Sequence, residues 1–498
     1  MWRTINQLRG FDAAEKPKDS WCFGTTAGLA NKFSSHFGSV VGSSSGNCAS
    51  YPYIRSISNS CWFPDISNED IVSIVRTIPS SRSPGCDGIR ACDIKRNIGI
   101  VITALRRILN GIFSGGVIPP FLKRAVAIPL YKGGQRSCFE NYRPISILSV
   151  ISVIMEKFVH GVMSSFIDKY NIISETQYGF VKGKGTQVLL DDFADSLYRA
   201  FDHNLVSIWI SERAFDTVSH SLLSTKLQAY CFRGRFLLWL SNFLSGRTQV
   251  VRVCGEYSGA VPILRGVPQV SVLSPLLFNL YVNDLCRCIS FSILYQYADD
   301  TLLCSTNLAS EMALRMLQKD VLAVCDWFHS NQININPSKT QMICFRNSHK
   351  LVDLSVDILL HGTSCVNCCC QALPYTTVLK YLGLLFDNDL SWNSHLSLVC
   401  KKLRKVSCIL YTFRSCAPAK IRLLIMHALG YSILRYGITL FAHCSETWKQ
   451  KINRILLSCL KSIAYRTSVV VPSADVFRVL CLPSFYNLFK YTVVLKVL

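Results

Sequence analysis

The chain has 498 residues, 50% hydrophobic and 17% charged, with 53 Lys and Arg against 31 Asp and Glu for a net charge of +22. The apolar fraction excludes general disorder, and the length is roughly that of three domains with a large core. The charge favours a polyanionic partner, nucleic acid ahead of an anionic membrane surface, and makes each acid in a special setting informative.

The 23 cysteines are scattered, and Met1-Trp2-Arg3-Thr4 leads into polar sequence rather than an apolar signal core. Reduced thiols and an intracellular location, nucleus or cytoplasm, are expected. The longest apolar block, Ile145 to Met155, falls short of the about 18 residues of a membrane span, so no membrane partner is expected.

Residues 1–70 are rich in Ser and Gly and read as a linker region, with Gly38 to Ser45 a loop. Ile71 to Ile78 has the period of a short amphipathic helix and leads into the turn-rich Ser80 to Gly88. Leu105 to Phe113 reads as helix, Ala125 to Tyr131 as a strand ended by Lys132-Gly133-Gly134, and Ile145 to Phe166 as one long buried helix. Leu205 to Ile210 reads as a buried strand, followed by helices at Ser219 to Tyr230 and Phe236 to Leu244. Thr248 to Cys254 and Gly259 to Leu264 alternate around Gly255 like a hairpin. Pro275 to Leu285 is a helix with Pro in its first turn. Ile293 to Tyr297 and Thr301 to Ser305 are short strands flanking Asp299-Asp300, and Glu311 to Phe328 is an amphipathic helix. Ile343 to Phe345, Ile358 to Leu360 and Leu379 to Phe386 read as strands; from about Leu396 the pattern turns helical and basic. The division expected is 1–70 linker, 71–395 main mixed α+β region and 396–498 helical C-terminal region.

Tyr297-Ala298-Asp299-Asp300 lies at the tip of the expected hairpin. Paired acids at a hairpin tip are common turn chemistry. Two adjacent carboxylates on a rigid tip can also hold a hard cation such as Mg²⁺. Phosphoryl transfer by two metals needs carboxylates that clamp ions about 3.5–4 Å apart.

The company of this motif decides between the two. Ser83-Pro84-Gly85-Cys86-Asp87-Gly88-Ile89 comes first, then Asn141-Tyr142-Arg143-Pro144-Ile145-Ser146, Gln177-Tyr178-Gly179-Phe180 and Ala214-Phe215-Asp216-Thr217-Val218. Gly266-Val267-Pro268-Gln269 follows with Ser274-Pro275-Leu276-Leu277-Phe278, then Tyr297 to Asp300, Asn334 to Thr340, and Lys380-Tyr381-Leu382-Gly383. In this order they resemble reverse transcriptases of non-LTR retrotransposons, of the LINE or Jockey-like type. A group II intron maturase fits the Tyr-Leu-Gly and Ser-Pro-Leu-Leu-Phe contexts less well.

The resemblance implies an α+β right-hand polymerase of fingers, palm and thumb, copying an RNA template from a DNA primer at a nicked target with deoxynucleoside triphosphates. It implies that Asp299 is the main metal ligand and Asp300 its partner, with Mg²⁺ as cofactor. Phe215 corresponds to the residue that rejects a ribose 2′-OH, Gln269 to one that faces the incoming nucleotide, and Lys132 and Arg143 to the grip on its triphosphate. Tyr381, Leu382 and Gly383 correspond to the primer grip. Each has an ordinary alternative: core packing for Phe215, a solvated turn for Lys132, a helix cap for Gln269. Lys401, Lys402, Arg404 and Lys405 are candidates for phosphate contact or a plain solvated helix face.

Three positions depart from the family pattern. Six residues before Asp216, where the family has its bridging catalytic Asp, stands Ile210. Glu212 lies two residues on, displaced by roughly 6.6 Å along a strand, too far for a simple swap. Val270 replaces a Gly after Pro-Gln, and Val181 replaces a basic residue after Gly-Phe. The expectation is an impaired polymerase; the alternative is a catalytically dead nucleic-acid-binding remnant. Nothing in the sequence resembles the family's endonuclease domain. Cys365, Cys368, Cys369 and Cys370 lack a second ligand pair at zinc-finger spacing and read as ordinary thiols. The sequence sets no oligomeric state.

Overall fold

The computed structural model describes residues 26–39, 59–201, 203, 205–211, 218–268, 271–307, 309–333, 335, 340–346, 357–362, 372–465 and 476–497. Phe215, Gln269, Val270, Glu212, Asp216 and the Cys365 to Cys370 cluster lie outside them. The strands are β1 (Arg124–Tyr131), β2 (Tyr142–Ile147), β3 (Leu205–Ser211), β4 (Arg247–Val253), β5 (Glu256–Tyr257), β6 (Val261–Ile263), β7 (Ile293–Tyr297), β8 (Asp300–Asn307), β9 (Gln341–Phe345), β10 (Tyr375–Thr376), β11 (Val378–Tyr381) and β12 (Leu384–Asp387). With the helices between them they make a mixed α+β protein.

The chain forms two compact units that interleave in sequence. Described residues of the first fall within Met1–Ser174, Ala214–Asp284 and Ser330–Asn334; those of the second fall within Glu175–Arg213, Leu285–His329 and Ile335–Leu498. The expected segments 1–70, 71–395 and 396–498 follow chain order and are a separate division from these units. Hydrophobic period reports which face of an element is buried but not which unit receives it, so the interleaving has no local signal.

The first unit holds a sheet in the order β2-β1-β4-β5, with β6 also on β4. β1 runs antiparallel to β2 and parallel to β4. The helix Thr26–Ser39, inside the expected linker, covers this sheet: Leu29, Ala30 and Phe33 pack on Ala127, Tyr142, Val251 and Val253. Phe33 meets Tyr142 edge to face at 4.9 Å between centroids. The helix Asn68–Thr77 starts in a capping box of Ser67 and Asp70.

The block expected as one helix from Ile145 splits in two. Ile145 pairs with Ile128 in β2, and the helix Val150–Lys169 begins only after Ser149, whose hydroxyl accepts from the Ile151 N–H. A continuous apolar run does not separate a buried strand from a buried helix. The expected Ile358 to Leu360 strand reduces to a single bridge, Leu359 to Ala372.

Two helices, Ile98–Gly115 and Val150–Lys169, are long and apolar enough to cross a membrane by length and hydropathy alone. Neither is an uninterrupted apolar run, which is why the sequence shows no span. The second is 56% buried inside the protein, as in a core helix.

The second unit is built on a sheet in the order β10-β9-β3-β8-β7, with β3 at its centre. The helix Thr186–Phe201 buries Leu189, Leu190, Phe193, Ala194 and Leu197. The helix Ser310–Ser330 buries Ala313, Leu314, Leu317 and Val321, and its Ala313 carbonyl accepts from Ser305 of β8 at 3.0 Å. β11 and β12 form a separate hairpin. Beyond it the helices Asn393–Thr412 and Glu446–Ala464 pack on each other.

Candidate active site

The β7–β8 hairpin closes with Tyr297 paired to Asp300, so Ala298 and Asp299 make its two-residue turn. Ala298 takes a φ of +54°, the left-handed conformation such turns use at their first central position. A non-glycine residue there needs outside support, and the Gln177 to Phe180 segment supplies it. Gln177 forms a parallel bridge with Gln296, extending the sheet beside β7. Tyr178 N–H donates to the Gln296 carbonyl at 2.8 Å, and Gln296 N–H donates to the Thr176 carbonyl at 2.9 Å. The buried Gln177 side chain then folds over the turn. Its Oε1 accepts from the N–H of Gly179 at 2.9 Å and of Ala298 at 3.1 Å. Gly179 lies so close that a Cβ there would stand 2.4 Å from the Ala298 nitrogen. The sequence marks Gln177 and Gly179 as a motif but not as the brace of this turn; the signal was a Gln and a Gly spaced one residue apart.

β8 lies between β7 and β3. Ile210 pairs with Leu302 and Ser211 with Thr301, so Ile210 sits on the strand beside the Asp299-Asp300 hairpin, as the motif order requires. Asp299 and Asp300 are half-buried at the tip. Two adjacent carboxylates suit a hard divalent cation. Isoleucine brings no oxygen donor, and among the described residues no group of three or more His, Cys, Asp or Glu side chains is arranged to hold a metal. Among the described residues the tip thus offers the adjacent pair Asp299 and Asp300 toward a cation.

In the same unit, β11 and β12 close between Tyr381 and Leu384. The turn residues Leu382 and Gly383 take φ of +42° and +86°, the pair of left-handed conformations of a type I′ turn, in which glycine is favoured. Tyr436 donates its hydroxyl to the Leu382 carbonyl. The Tyr381 ring is buried against Phe193 at 5.9 Å between centroids. Burial first, and then the Asp300 carboxylate, push the Tyr381 hydroxyl well above the usual tyrosine range. Tyr381 and Asp300 thus feel one another electrostatically within one unit.

Lys132 and Arg143 belong to the first unit, at the loop end of the β1–β2 hairpin. Lys132 N–H donates to the Asn141 carbonyl at 2.8 Å, and Arg143 pairs with Leu130. Both side chains are exposed, leaving both cations at one hairpin end where a polyanion could reach them. Lys401, Lys402, Arg404 and Lys405 form the exposed face of the helix Asn393–Thr412, whose other face buries Leu396, Val399, Leu403 and Val406. The described cysteines are all unbridged, and burial pushes the thiols of Cys304 and Cys344 up to about 12, so they act as core residues.

A family model described as reverse transcriptase (RNA-dependent DNA polymerase) matches residues 132–386. The chain is 30% identical over 347 residues to a Drosophila melanogaster protein named "Probable RNA-directed DNA polymerase from transposon BS", covering 67% of this chain and 37% of that one. It is 25% identical over 350 residues to the RNA-directed DNA polymerase from mobile element jockey of the same fly, covering 68% and 37%. It is 30% identical over 228 residues to the retrovirus-related Pol polyprotein from type-1 retrotransposable element R2 of Popillia japonica, covering 44% and 30%. The chain thus spans little more than a third of the length of the first two of these relatives. The matched residues include β3, the Asp299-Asp300 hairpin and the β11–β12 hairpin, and with half of its length so matched the chain belongs to the reverse transcriptase family.

Proposed function

We propose that the chain is the RNA-directed DNA polymerase part of a non-LTR retrotransposon, with its chemistry impaired by Ile210. The relatives' names support the activity. The observation that carries the impairment is the register that sets Ile210, rather than a carboxylate, beside the Asp299-Asp300 turn. In this reading the β10-β9-β3-β8-β7 sheet is the palm, the β1–β2 hairpin belongs to the fingers, and the helices from Asn393 onward form the thumb.

Asp299 and Asp300 would hold divalent cation. Bound Mg²⁺ supplies a lowered pKa at the attacking oxygen and compensates charge on the leaving group. Lys132 and Arg143 bind the triphosphate by charge-assisted hydrogen bonds. Gln269 faces the incoming nucleotide, and Phe215 excludes a ribose 2′-OH. Tyr381, Leu382 and Gly383 orient the primer end. The substrates are an RNA template, a DNA primer or target, and deoxynucleoside triphosphates. An intracellular, membrane-independent protein agrees with the unbridged cysteines and the buried Val150–Lys169 helix.

A second reading, a nucleic-acid-binding remnant without catalysis, is favoured by the same Ile210. Mg²⁺-dependent primer extension on an RNA template separates the two. Slow extension that rises on Ile210→Asp with Val270→Gly supports an impaired polymerase. Template–primer binding with no extension by either protein supports the remnant.

A further inference from the structure

In the first unit, the sequence stretch Gly266 to Ser274 is held in its two described parts, Gly266–Pro268 and Ser271–Ser274. At its start, Gly266 N–H donates to the Val218 carbonyl at 2.8 Å, and His220 Nε2 donates to the Gly266 carbonyl at 2.7 Å. At its far end, Glu156 Oε2 accepts from the Ser271 hydroxyl at 2.6 Å and from the Val272 N–H at 2.8 Å. Ser271 Oγ also accepts from Leu273 N–H at 3.3 Å, and Ser274 Oγ donates to the Pro268 carbonyl at 2.7 Å.

Glu156 is 1% exposed in the middle of the helix Val150–Lys169, among Val153, Ile154, Met155 and Val159. An apolar residue would pack there without desolvating a charge. The carboxylate instead meets donors of a loop more than a hundred residues away. Arg247, 2% exposed at the start of β4, supplies opposing charge. The side chain is therefore explained by what it holds. In sequence, what it holds is the segment directly after Gln269 and Val270.

We propose that Glu156 is a positioning residue for the incoming nucleotide, fixing Ser271 and Val272, which follow Gln269 and Val270 directly in sequence. The nucleotide half of this proposal rests on the polymerase reading; the anchor itself does not. A glutamine at position 156 keeps a carbonyl oxygen for the same two donors, whereas leucine keeps the bulk and removes the acceptor.

The full chain is tested as wild type, Glu156→Gln, Glu156→Leu and Ser271→Ala. Amide hydrogen exchange at Val272 is expected to speed up at least tenfold in Glu156→Leu, to rise less in Ser271→Ala, and to stay within about twofold in Glu156→Gln. Should Glu156→Leu fail to fold, the other two variants decide the anchor by the same ordering. Unchanged exchange in Ser271→Ala, or equal acceleration in Glu156→Gln and Glu156→Leu, overturns it. Equilibrium binding of a deoxynucleoside triphosphate to the protein on RNA template–DNA primer, in Ca²⁺, tests the role. Affinity is expected to fall about tenfold or more in Glu156→Leu with template–primer affinity within twofold, and to recover in Glu156→Gln. Parallel loss of both affinities overturns positioning in favour of plain structural support. If wild type binds template–primer but no nucleotide, the polymerase reading fails and with it the positioning role, while the exchange result still judges the anchor.

Discussion

The side chain of Gln177 accepts the backbone N–H of Ala298 at 3.1 Å, one residue before Asp299, and so braces the turn that carries the Asp pair. The same oxygen accepts from Gly179, tying the turn to the Gln177–Phe180 segment that bridges to β7 at Gln296.

Gln177→Leu removes the acceptor that the Gly179 and Ala298 N–H groups share, at a cost of about 1–3 kcal/mol for a buried donor that loses its partner. Gly179→Ala drives a Cβ into the Ala298 nitrogen and costs about 1–3 kcal/mol of overpacking strain. Urea unfolding of both variants checks this. A midpoint unchanged from wild type in either one removes the bracing role for that residue.

Restoring a carboxylate at position 210 is expected to raise primer extension. A lost metal-binding group commonly withholds several kcal/mol of transition-state stabilisation, and each 1.36 kcal/mol is roughly tenfold in rate. Ile210→Asp with Val270→Gly should therefore extend an RNA-templated primer at least about a hundredfold faster than wild type. Robust extension by the unmodified chain would show that Ile210 is no lost catalytic position.

Binding to an RNA–DNA hybrid should weaken steeply with salt, because phosphate contacts release counterions. Replacing Lys401, Lys402, Arg404 and Lys405 together with Ala should reduce the slope of log affinity against log salt by up to roughly 0.9 for each phosphate no longer neutralised. An unchanged slope assigns those four residues to a merely solvated face.

Acid should loosen the C-terminal helices through His395. Burial, then the charge of Lys402, hold its imidazole down at about 4 against the usual 6.5, and the Asp387 carboxylate opposes them only in part. The unfolded chain thus binds the proton first, so stability contributed by neutral His395 is intact above about pH 6.5 and is lost as pH falls toward 4, by at most about 3 kcal/mol. Unfolding free energies of wild type and His395→Gln across pH 4–7 measure the difference. Parallel curves count against this assignment.

The ion pair of Lys226 and Asp284, 2.6 Å apart with the Lys226 side chain fully buried, should be strongly asymmetric to mutation. Burial outweighs Asp284 and lowers the Lys226 ammonium to about 8. Asp284→Ala, which removes the counter-charge and leaves the cation with the Tyr281 carbonyl at 2.6 Å, should cost about 3–5 kcal/mol. Lys226→Met, which keeps the bulk and leaves the better-hydrated Asp284, should cost less. Calorimetry on both variants tests the order.

The chemistry-bearing elements were legible in the sequence because each is local. The Asp299-Asp300 tip needs only two short apolar runs around a turn, and strand periodicity around Leu205 marks β3, whereas the run Leu379 to Phe386, which reads as one strand, folds at Leu382-Gly383 into the β11–β12 hairpin. The attention drawn to Ile210 likewise comes from counting back from Asp216 against the pattern that the family resemblance implies. What the sequence left undetermined depends on partners distant in the chain. Ile145 to Ile147 joined β2 rather than the following helix because β1 was there to pair with them. The helix Thr26–Ser39 lay in what reads as linker, since its few apolar residues gain meaning only against Val251 and Val253. Gln177 is marked in the sequence by its motif and Glu156 by nothing, and the contact each makes shows only when the fold brings Ala298 and Ser271 to them. A side-chain hydrogen bond acts over about 3 Å, and only tertiary structure decides which donors come within that reach.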